Sequence, residues 1–158
     1  MGAKRTMFSC GPEVAILIGH ALQCLPDEVV DSVGDRLAFV YMDSDGRRLT
    51  REFCADREII ILSERIFPWG WKDKCELKVR YFMFAVLHEV AHAYSDHKAP
   101  NSVSIDDNQA QEQQADELAY VWFNDYLRSK NDPPFSSDEL TKAKKVSQDE
   151  WTKAFGTR

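Results

Sequence analysis

The stretch His88-Glu89-Val90-Ala91-His92 decides how this sequence folds, because it sets two histidines four residues apart within a long apolar run. On an α-helix, residues i and i+4 lie on the same face, so both imidazoles can reach one ion. A catalytic zinc site takes three protein ligands and leaves a fourth position for water. The pattern therefore predicts a helix bearing a metal site, with one further ligand supplied from elsewhere in the chain.

The segment around this motif is apolar on nearly every side of the predicted helix. With successive residues about 100° apart, the two histidines share a stripe with Leu77, Tyr81, Phe84 and Ser95. Apolar residues also cover the other sides, which predicts a central helix from a cap at Asp73 to about His97. The alternative is a pair of core histidines bonded to backbone or carboxylates. Since burying unpaired polar groups is costly, a metal explains the pair better.

A second helix, predicted from about Asp107 to Leu127, offers the third ligand. Glu112 and Asp116 fall on the face that carries its small and aromatic residues, whereas Glu117 falls on the opposite side with Gln114. A carboxylate on an inward face needs a cation or hydrogen-bond donors. Glu112 is therefore the expected third ligand, and Asp116 can accept the free N–H of a ligating histidine. The alternative is a solvated, glutamine-rich helix start.

These residues carry a resemblance to a known family. HEVAH, followed after nineteen residues by EQQAD, resembles the H-E-x-x-H…E-x-x-x-D signature of gluzincins, the thermolysin-like zincin metallopeptidases. The run at 112–119 is also similar to the ligand helix of the ImmA/IrrE group, and the short chain is similar to the minigluzincins. The resemblance spans residues 35–127 in pattern, but only the ten motif positions are specific. The metzincin pattern does not fit, because Ser95 and Lys98 occupy its glycine and last histidine positions.

The resemblance implies a zinc metalloendopeptidase that hydrolyses peptide or protein substrates. It assigns His88, His92 and Glu112 as ligands of one Zn²⁺, Glu89 as the general base for a zinc-bound water, and Asp116 as the histidine-orienting residue. We expect no counterpart, within these 158 residues, of the second helical domain that supplies thermolysin's transition-state histidine. The oxyanion stabiliser therefore stays open among three residues near the motifs, namely Tyr94, His97 and Tyr120.

A second function class stays open beside the peptidase. The same core can serve as a catalytically inactive zinc-binding scaffold for a protein partner, or as a latent peptidase whose cleft is covered by another segment. A structural zinc site closes all four positions, and His97 or Asp116 can supply a fourth ligand. His97 can instead be a helix-end histidine facing solvent.

Composition limits the remaining possibilities. At 158 residues and 44% hydrophobic content, one domain spanning 1–158 is expected, with 1–10 and 130–158 peripheral. A net charge of −6 with scattered cations does not favour nucleic-acid binding, and no run reaches membrane-spanning length. The four cysteines stand singly, as in a reduced cytoplasmic protein. The sequence does not indicate an oligomeric state.

Outside the two motif helices, the pattern predicts the rest of an α+β, zincin-like domain. Pro12 opens an N-terminal helix that ends at Pro26, and a short helical piece follows to about Val33. The alternation at 37–42, the turn at 43–46 and the run at 49–54 predict a hairpin, and Ile59–Leu62 adds the third strand of a small sheet. Ser136 with Glu139 predicts a cap for a peripheral C-terminal helix over 137–154.

Overall fold

The computed structural model describes residues 7–9, 11–42, 47–49, 57–68 and 76–155, and the structural statements below concern these residues. They form a mixed α+β fold in which helices predominate. The helices are α1 (Pro12–Leu22), α2 (Asp27–Val33), α3 (Glu76–Tyr94), α4 (Ile105–Ser129) and α5 (Ser137–Phe155). The strands are β1 (Met7–Ser9), β2 (Leu37–Met42), β3 (Arg47–Leu49) and β4 (Glu58–Ser63), and short 3-10 turns follow β4 and α3.

The sheet differs from the predicted three-stranded sheet with a hairpin. Its order is β1-β2-β4-β3, so β2 has β1 and β4 as neighbours, and β3, which follows the predicted turn at 43–46, pairs with β4 instead. β2 runs parallel to both β1 and β4, and β3 runs antiparallel to β4. The hairpin prediction is therefore wrong, although its turn at 43–46 and the segment 50–54 lie outside the described residues. Residues 7–9, which belong to the segment 1–10 expected to be peripheral, form the edge strand β1.

Burial explains why β2 pairs with β4. Ile60 and Leu62 of β4 are fully buried, as are Leu37 and Phe39 of β2. The register sets Phe39 beside Ile60 and Tyr41 beside Leu62, which joins the two apolar strands at the centre of the sheet. Strands covered on both faces read as continuous apolar runs and commonly pair in parallel.

Both predicted N-terminal helices are present, but the first ends at Leu22 rather than at Pro26. Pro12 occupies the first turn of α1, where its fixed φ and missing N–H are tolerated. Leu17 and Ile18 of α1 are fully buried, and α1 packs against α3. α2 begins after Pro26 and ends at Val33, and a Cβ on the capping residue Gly34 would stand 2.6 Å from the carbonyl oxygen of Val30.

α3 is the central helix, as its apolar circumference predicts. It packs against α1, α2, α4, α5 and β4. Its fully buried residues include Phe82, Val86, Leu87, Val90 and Ala91. The predicted cap residue, Asp73, lies outside the described residues.

The N-terminus of α4 lies slightly before the predicted start at about Asp107. Ser104 is the N-cap, although Asp106 and Asp107 near the predicted start are also residues that commonly cap helices, and Ser104 Oγ accepts a hydrogen bond of 3.1 Å from the backbone N–H of Asp107. Both aspartates instead lie in the first turn, where negative charge is favourable. Ala115, Ala119 and Phe123 are fully buried, which confirms the predicted inner face of α4.

The C-terminal helix α5 is held on α3 by charged contacts. The predicted capping box is present: the backbone N–H of Glu139 donates to Ser136 Oγ at 3.2 Å, and the backbone N–H of Ser136 donates to Glu139 Oε2 at 3.0 Å. Glu139 also pairs with the buried Arg80 at 3.0 Å, and Glu150 pairs with Lys78. α5 therefore fixes the first half of α3 from outside. None of the described helices has the length and hydropathy that a membrane span requires.

Candidate metal centre

Three side chains from α3 and α4 meet where the two helices pack together. His88 Nε2 lies 3.1 Å from His92 Nε2, as the i, i+4 spacing on one helix predicts. From α4, Glu112 places Oε2 at 3.3 Å from His88 Nε2 and Oε1 at 3.5 Å from His92 Nε2. The structure therefore brings the three sequence-predicted ligands together in a group that can hold a metal ion.

The spacing of these atoms fits a small tetrahedral ion. Bonds of about 2.0–2.1 Å to nitrogen and oxygen separate neighbouring ligand atoms of a tetrahedron by about 3.3–3.4 Å. The observed separations of 3.1, 3.3 and 3.5 Å lie around that value. Two imidazoles and one carboxylate also form a donor set that zinc accepts in catalytic sites.

Asp116 makes the contact expected of a histidine-orienting residue. Its Oδ1 accepts a hydrogen bond of 2.8 Å from His88 Nδ1–H, on the side of the ring away from Glu112. This bond leaves His88 Nε2 to face the cluster. The hydrogen bond with His88 lowers the pKa of Asp116, and a hydrogen bond with His88 lowers the pKa of Glu112 as well.

The charges around His88 favour its protonated form when no metal is present. Burial acts to lower its pKa, but hydrogen bonds to Asp116 and Glu112, with the negative charges of Glu89 and Asp116, raise the pKa to about 9. Three carboxylates thus surround one ring and stabilise a positive charge there. The same electrostatic environment stabilises a cation held by the ring nitrogens.

The two carboxylates of α4 are more exposed than their helix face suggests. The side chain of Glu112 is 48% exposed and that of Asp116 is 42% exposed, whereas those of His88 and His92 are 17% and 11% exposed. Both carboxylates face α3, as predicted, but at the rim of the helix interface rather than in the core. The cluster therefore has protein behind the histidines and solvent in front of Glu112.

His97 and Gln114 form a contact that the sequence did not predict. His97 is 7% exposed, so it is not a solvent-facing histidine at the helix end. Its Nδ1 lies 2.8 Å from Nδ1 of His92, and its Nε2 lies 3.0 Å from Gln114 Oε1. Gln114, predicted on the solvent side of α4, thus reaches the residue behind His92. Both ring nitrogens of His97 are engaged there, which argues against its suggested role as a fourth ligand.

The glutamine-rich start of α4 is accordingly built for specific contacts. Gln111 clamps the backbone just after α3, because its Oε1 accepts from the N–H of Lys98 at 2.8 Å and its Nε2 donates to the Lys98 carbonyl at 3.2 Å. Gln113 bonds to Glu117 on the outer side of α4. The clamp fixes the chain beyond α3 against α4, although most of this helix start is exposed to solvent.

The remaining sequence-predicted residues lie around the cluster in different environments. Glu89 is half-buried beside His88, close enough for its charge to raise the pKa of that histidine. The ring of Tyr94 packs edge-on against Trp122, with centroids 5.9 Å apart. The hydroxyl of Tyr120 is buried and has no hydrogen-bond partner among the described residues, and burial raises its pKa. A buried hydroxyl does not face substrate, which disfavours Tyr120 as the oxyanion stabiliser.

The chemistry of this cluster is inferred from its side chains, because the comparisons with known proteins supply none. Profiles of known protein families, curated protein sequences and solved structures give no significant match to this chain.

Proposed function

We propose that this chain is a zinc-dependent endopeptidase with a zincin-like arrangement of its two motif helices. The observation that carries the proposal is the meeting of His88, His92 and Glu112 with ligand atoms at tetrahedral spacing. In that role the three side chains hold one Zn²⁺. Zinc supplies a Lewis acid that polarises a peptide carbonyl and makes water acidic enough to act near neutral pH. The substrate is a peptide or protein.

Glu89 is the proposed general base. It follows His88 directly on α3 and lies half-buried at the flank of the ligand stripe. A carboxylate at that place can take the proton of the attacking water and deliver it to the leaving amine. Asp116 holds the ring of His88 from behind, so that His88 presents Nε2 to the cluster at a fixed angle.

The exposure of the cluster supports hydrolysis over the alternative of an inactive scaffold. A purely structural zinc site closes all four positions with protein ligands. Among the described residues, only three side chains form the metal-binding group, and Glu112 faces solvent. His97 and Asp116, the suggested fourth ligands, are each bound to a ligating histidine through the nitrogen remote from the cluster. An open fourth position is what a hydrolase needs.

The structure narrows the search for the oxyanion stabiliser without assigning it. His97 is hydrogen-bonded to the side of the His92 ring that faces away from the cluster, and the Tyr120 hydroxyl is buried. Tyr94 is 38% exposed and stands at the end of α3, two residues after His92, which keeps it as the residue to test. We place the activity in the cytoplasm, since the cysteines stand singly in the sequence and Cys24 is a buried free thiol.

Cleavage of a quenched-fluorescence peptide library by the zinc-loaded full chain tests this proposal. We expect cleavage that a chelator abolishes and that zinc restores. Glu89→Gln should lower the rate by about 10²–10⁴-fold while zinc binding persists, because only the base is lost. Glu117→Gln removes one charge from the exposed side of α4 and serves as the matched control. Stoichiometric zinc with no cleavage of any peptide favours the scaffold, and undiminished turnover in Glu89→Gln refutes the assignment of the base.

A further inference from the structure

The C-terminal end of α3 folds back so that His97 lies against His92. Asp96 has a φ of 55°, in the left-handed region that ends many helices. The N–H of Asp96 donates to the carbonyl of Ala93 at 3.4 Å, and the N–H of His97 donates to that of His92 at 3.1 Å. These two bonds define a Schellman motif, in which the residue after the left-handed one packs on the residue five positions earlier. That packing, usually between apolar side chains, joins two imidazoles here.

The hydrogen bonds of this pair have a direction that Gln114 sets. The amide oxygen of Gln114 faces His97 Nε2 at 3.0 Å and can only accept, so Nε2 of His97 carries the proton. His97 Nδ1 then has a lone pair, and it accepts from His92 Nδ1–H at 2.8 Å. His92 Nε2 is thereby left without a proton, which is the form that binds a metal. If the amide were reversed, every bond would reverse and His92 Nε2 would hold a proton.

We propose that His97 and Gln114 are positioning residues that fix His92 as the Nδ1–H tautomer and so keep its Nε2 unprotonated for the metal. This inference rests on the proposed metal site and adds a second support to it. The two ligating histidines would then be held differently: His88 by the carboxylate of Asp116, and His92 by a neutral histidine and amide. Neutral partners orient His92 without adding a further negative charge behind the site.

Gln114 is the exposed end of the hydrogen-bonded series His92–His97–Gln114, so substitutions there disturb the fold least. Gln114→Leu removes the acceptor, whereas Gln114→Glu keeps an oxygen that can only accept. Gln113→Leu changes the neighbouring glutamine, which bonds to Glu117 on the outer side of α4, and is the matched control. In addition, His97→Asn retains an acceptor near the place of Nδ1, and His97→Leu does not.

Two measurements on the full chain test the proposal, and neither depends on peptidase activity. Long-range ¹H–¹⁵N NMR of the metal-free protein should show His92 protonated at Nδ1 and bare at Nε2. In zinc titrations, Gln114→Leu should weaken binding by about 10-fold, within the range for residues that support ligands, while Gln114→Glu and Gln113→Leu stay within about threefold of the parent. His97→Asn should bind zinc more tightly than His97→Leu.

The outcomes separate this inference from the proposed function. If the parent binds zinc but His92 carries its proton on Nε2, or if Gln114→Leu binds no more weakly than Gln113→Leu, the inference is wrong and the metal site stands. If the NMR shows the stated tautomer but the parent binds no zinc, the proposed function is wrong and the hydrogen-bond chain stands.

Discussion

Replacing Asp116 by asparagine isolates the effect of the carboxylate behind His88. In the parent protein, Asp116 Oδ1 accepts a hydrogen bond from His88 Nδ1–H at 2.8 Å. The asparagine keeps an oxygen that can accept this bond but removes the negative charge. Residues that support metal ligands contribute about 10–100-fold in affinity. Because the Asp116 side chain is 42% exposed, solvent screens part of its charge, and we expect the lower end of that range. Zinc affinity should fall about 10-fold, or about 1.4 kcal/mol.

The assay is a zinc titration of the metal-free chain against a competing chelator. Glu117→Gln serves as the control, because it makes the same change of charge on the exposed side of the same helix. It should change zinc affinity by less than about threefold, since exposed charges contribute little. Equal affinities for Asp116→Asn and Glu117→Gln would refute the reasoning that the contact with His88, rather than the net charge of α4, supports the site.

The same variant tests the electrostatics of the metal-free site. His88 has a folded pKa of about 9 against an ordinary value of 6.5. A pKa raised by folding contributes stability that is fully present below 6.5 and is lost as the pH rises through 9. The shift corresponds to at most about 3 kcal/mol. Metal-free parent protein should therefore lose more stability between about pH 6 and pH 10 than Asp116→Asn, as measured by urea unfolding. Identical losses in the two proteins would contradict this account.

Three further predictions concern single positions. Glu112→Gln removes a direct ligand charge and should weaken zinc binding by more than about 100-fold, which exceeds the effect expected of supporting residues; an affinity within tenfold of the parent would remove Glu112 from the site. Gly34→Ala should cost about 1–3 kcal/mol in urea unfolding, because its Cβ would press on the carbonyl of Val30 at 2.6 Å; unchanged stability would contradict that clash. Burial raises the pKa of Cys24 to about 12, so peptide mapping should find this thiol unalkylated in the native protein and alkylated after unfolding, and rapid native labelling would show that it is exposed.

The meeting of His88, His92 and Glu112 could be predicted because its geometry is local to two strongly patterned helices. The i, i+4 spacing alone sets His88 beside His92, and the small residues of α4 indicate the face that approaches α3. Glu112 and Asp116 lie on that face, and the helix pair brings both to the histidines. Their partial exposure to solvent was not predictable, because periodicity shows which way a side chain points from the helix axis but not how deeply the neighbouring helix buries it.

The sheet was mispredicted because its central pairing is not local. Turn residues at 43–46 favour a hairpin between adjacent segments. The chain instead sets the apolar strand β4 beside β2, which buries Phe39 and Ile60 together. Such a choice depends on what covers each face of the sheet, and a single sequence does not contain that information.

The contact between His97 and Gln114 was not predicted from helical periodicity, because it does not lie between two regular helix faces. His97 lies beyond the end of α3, where a left-handed residue returns the chain and the 100° rule no longer applies. A signal was present in hindsight: an aspartate that tolerates positive φ precedes a histidine five positions after His92. Gln114 projects from the flank of α4, and a long side chain can reach a loop that lies beside the helix.

The most direct test of the central claim is the zinc stoichiometry of the purified full chain after metal removal and reloading, measured with His88→Ala, His92→Ala and Glu112→Ala in parallel. The account predicts one zinc per parent chain and a large loss of affinity in each variant, because each removes one of three ligands. A parent chain that binds no zinc, or single variants that bind zinc as tightly as the parent, would contradict the account.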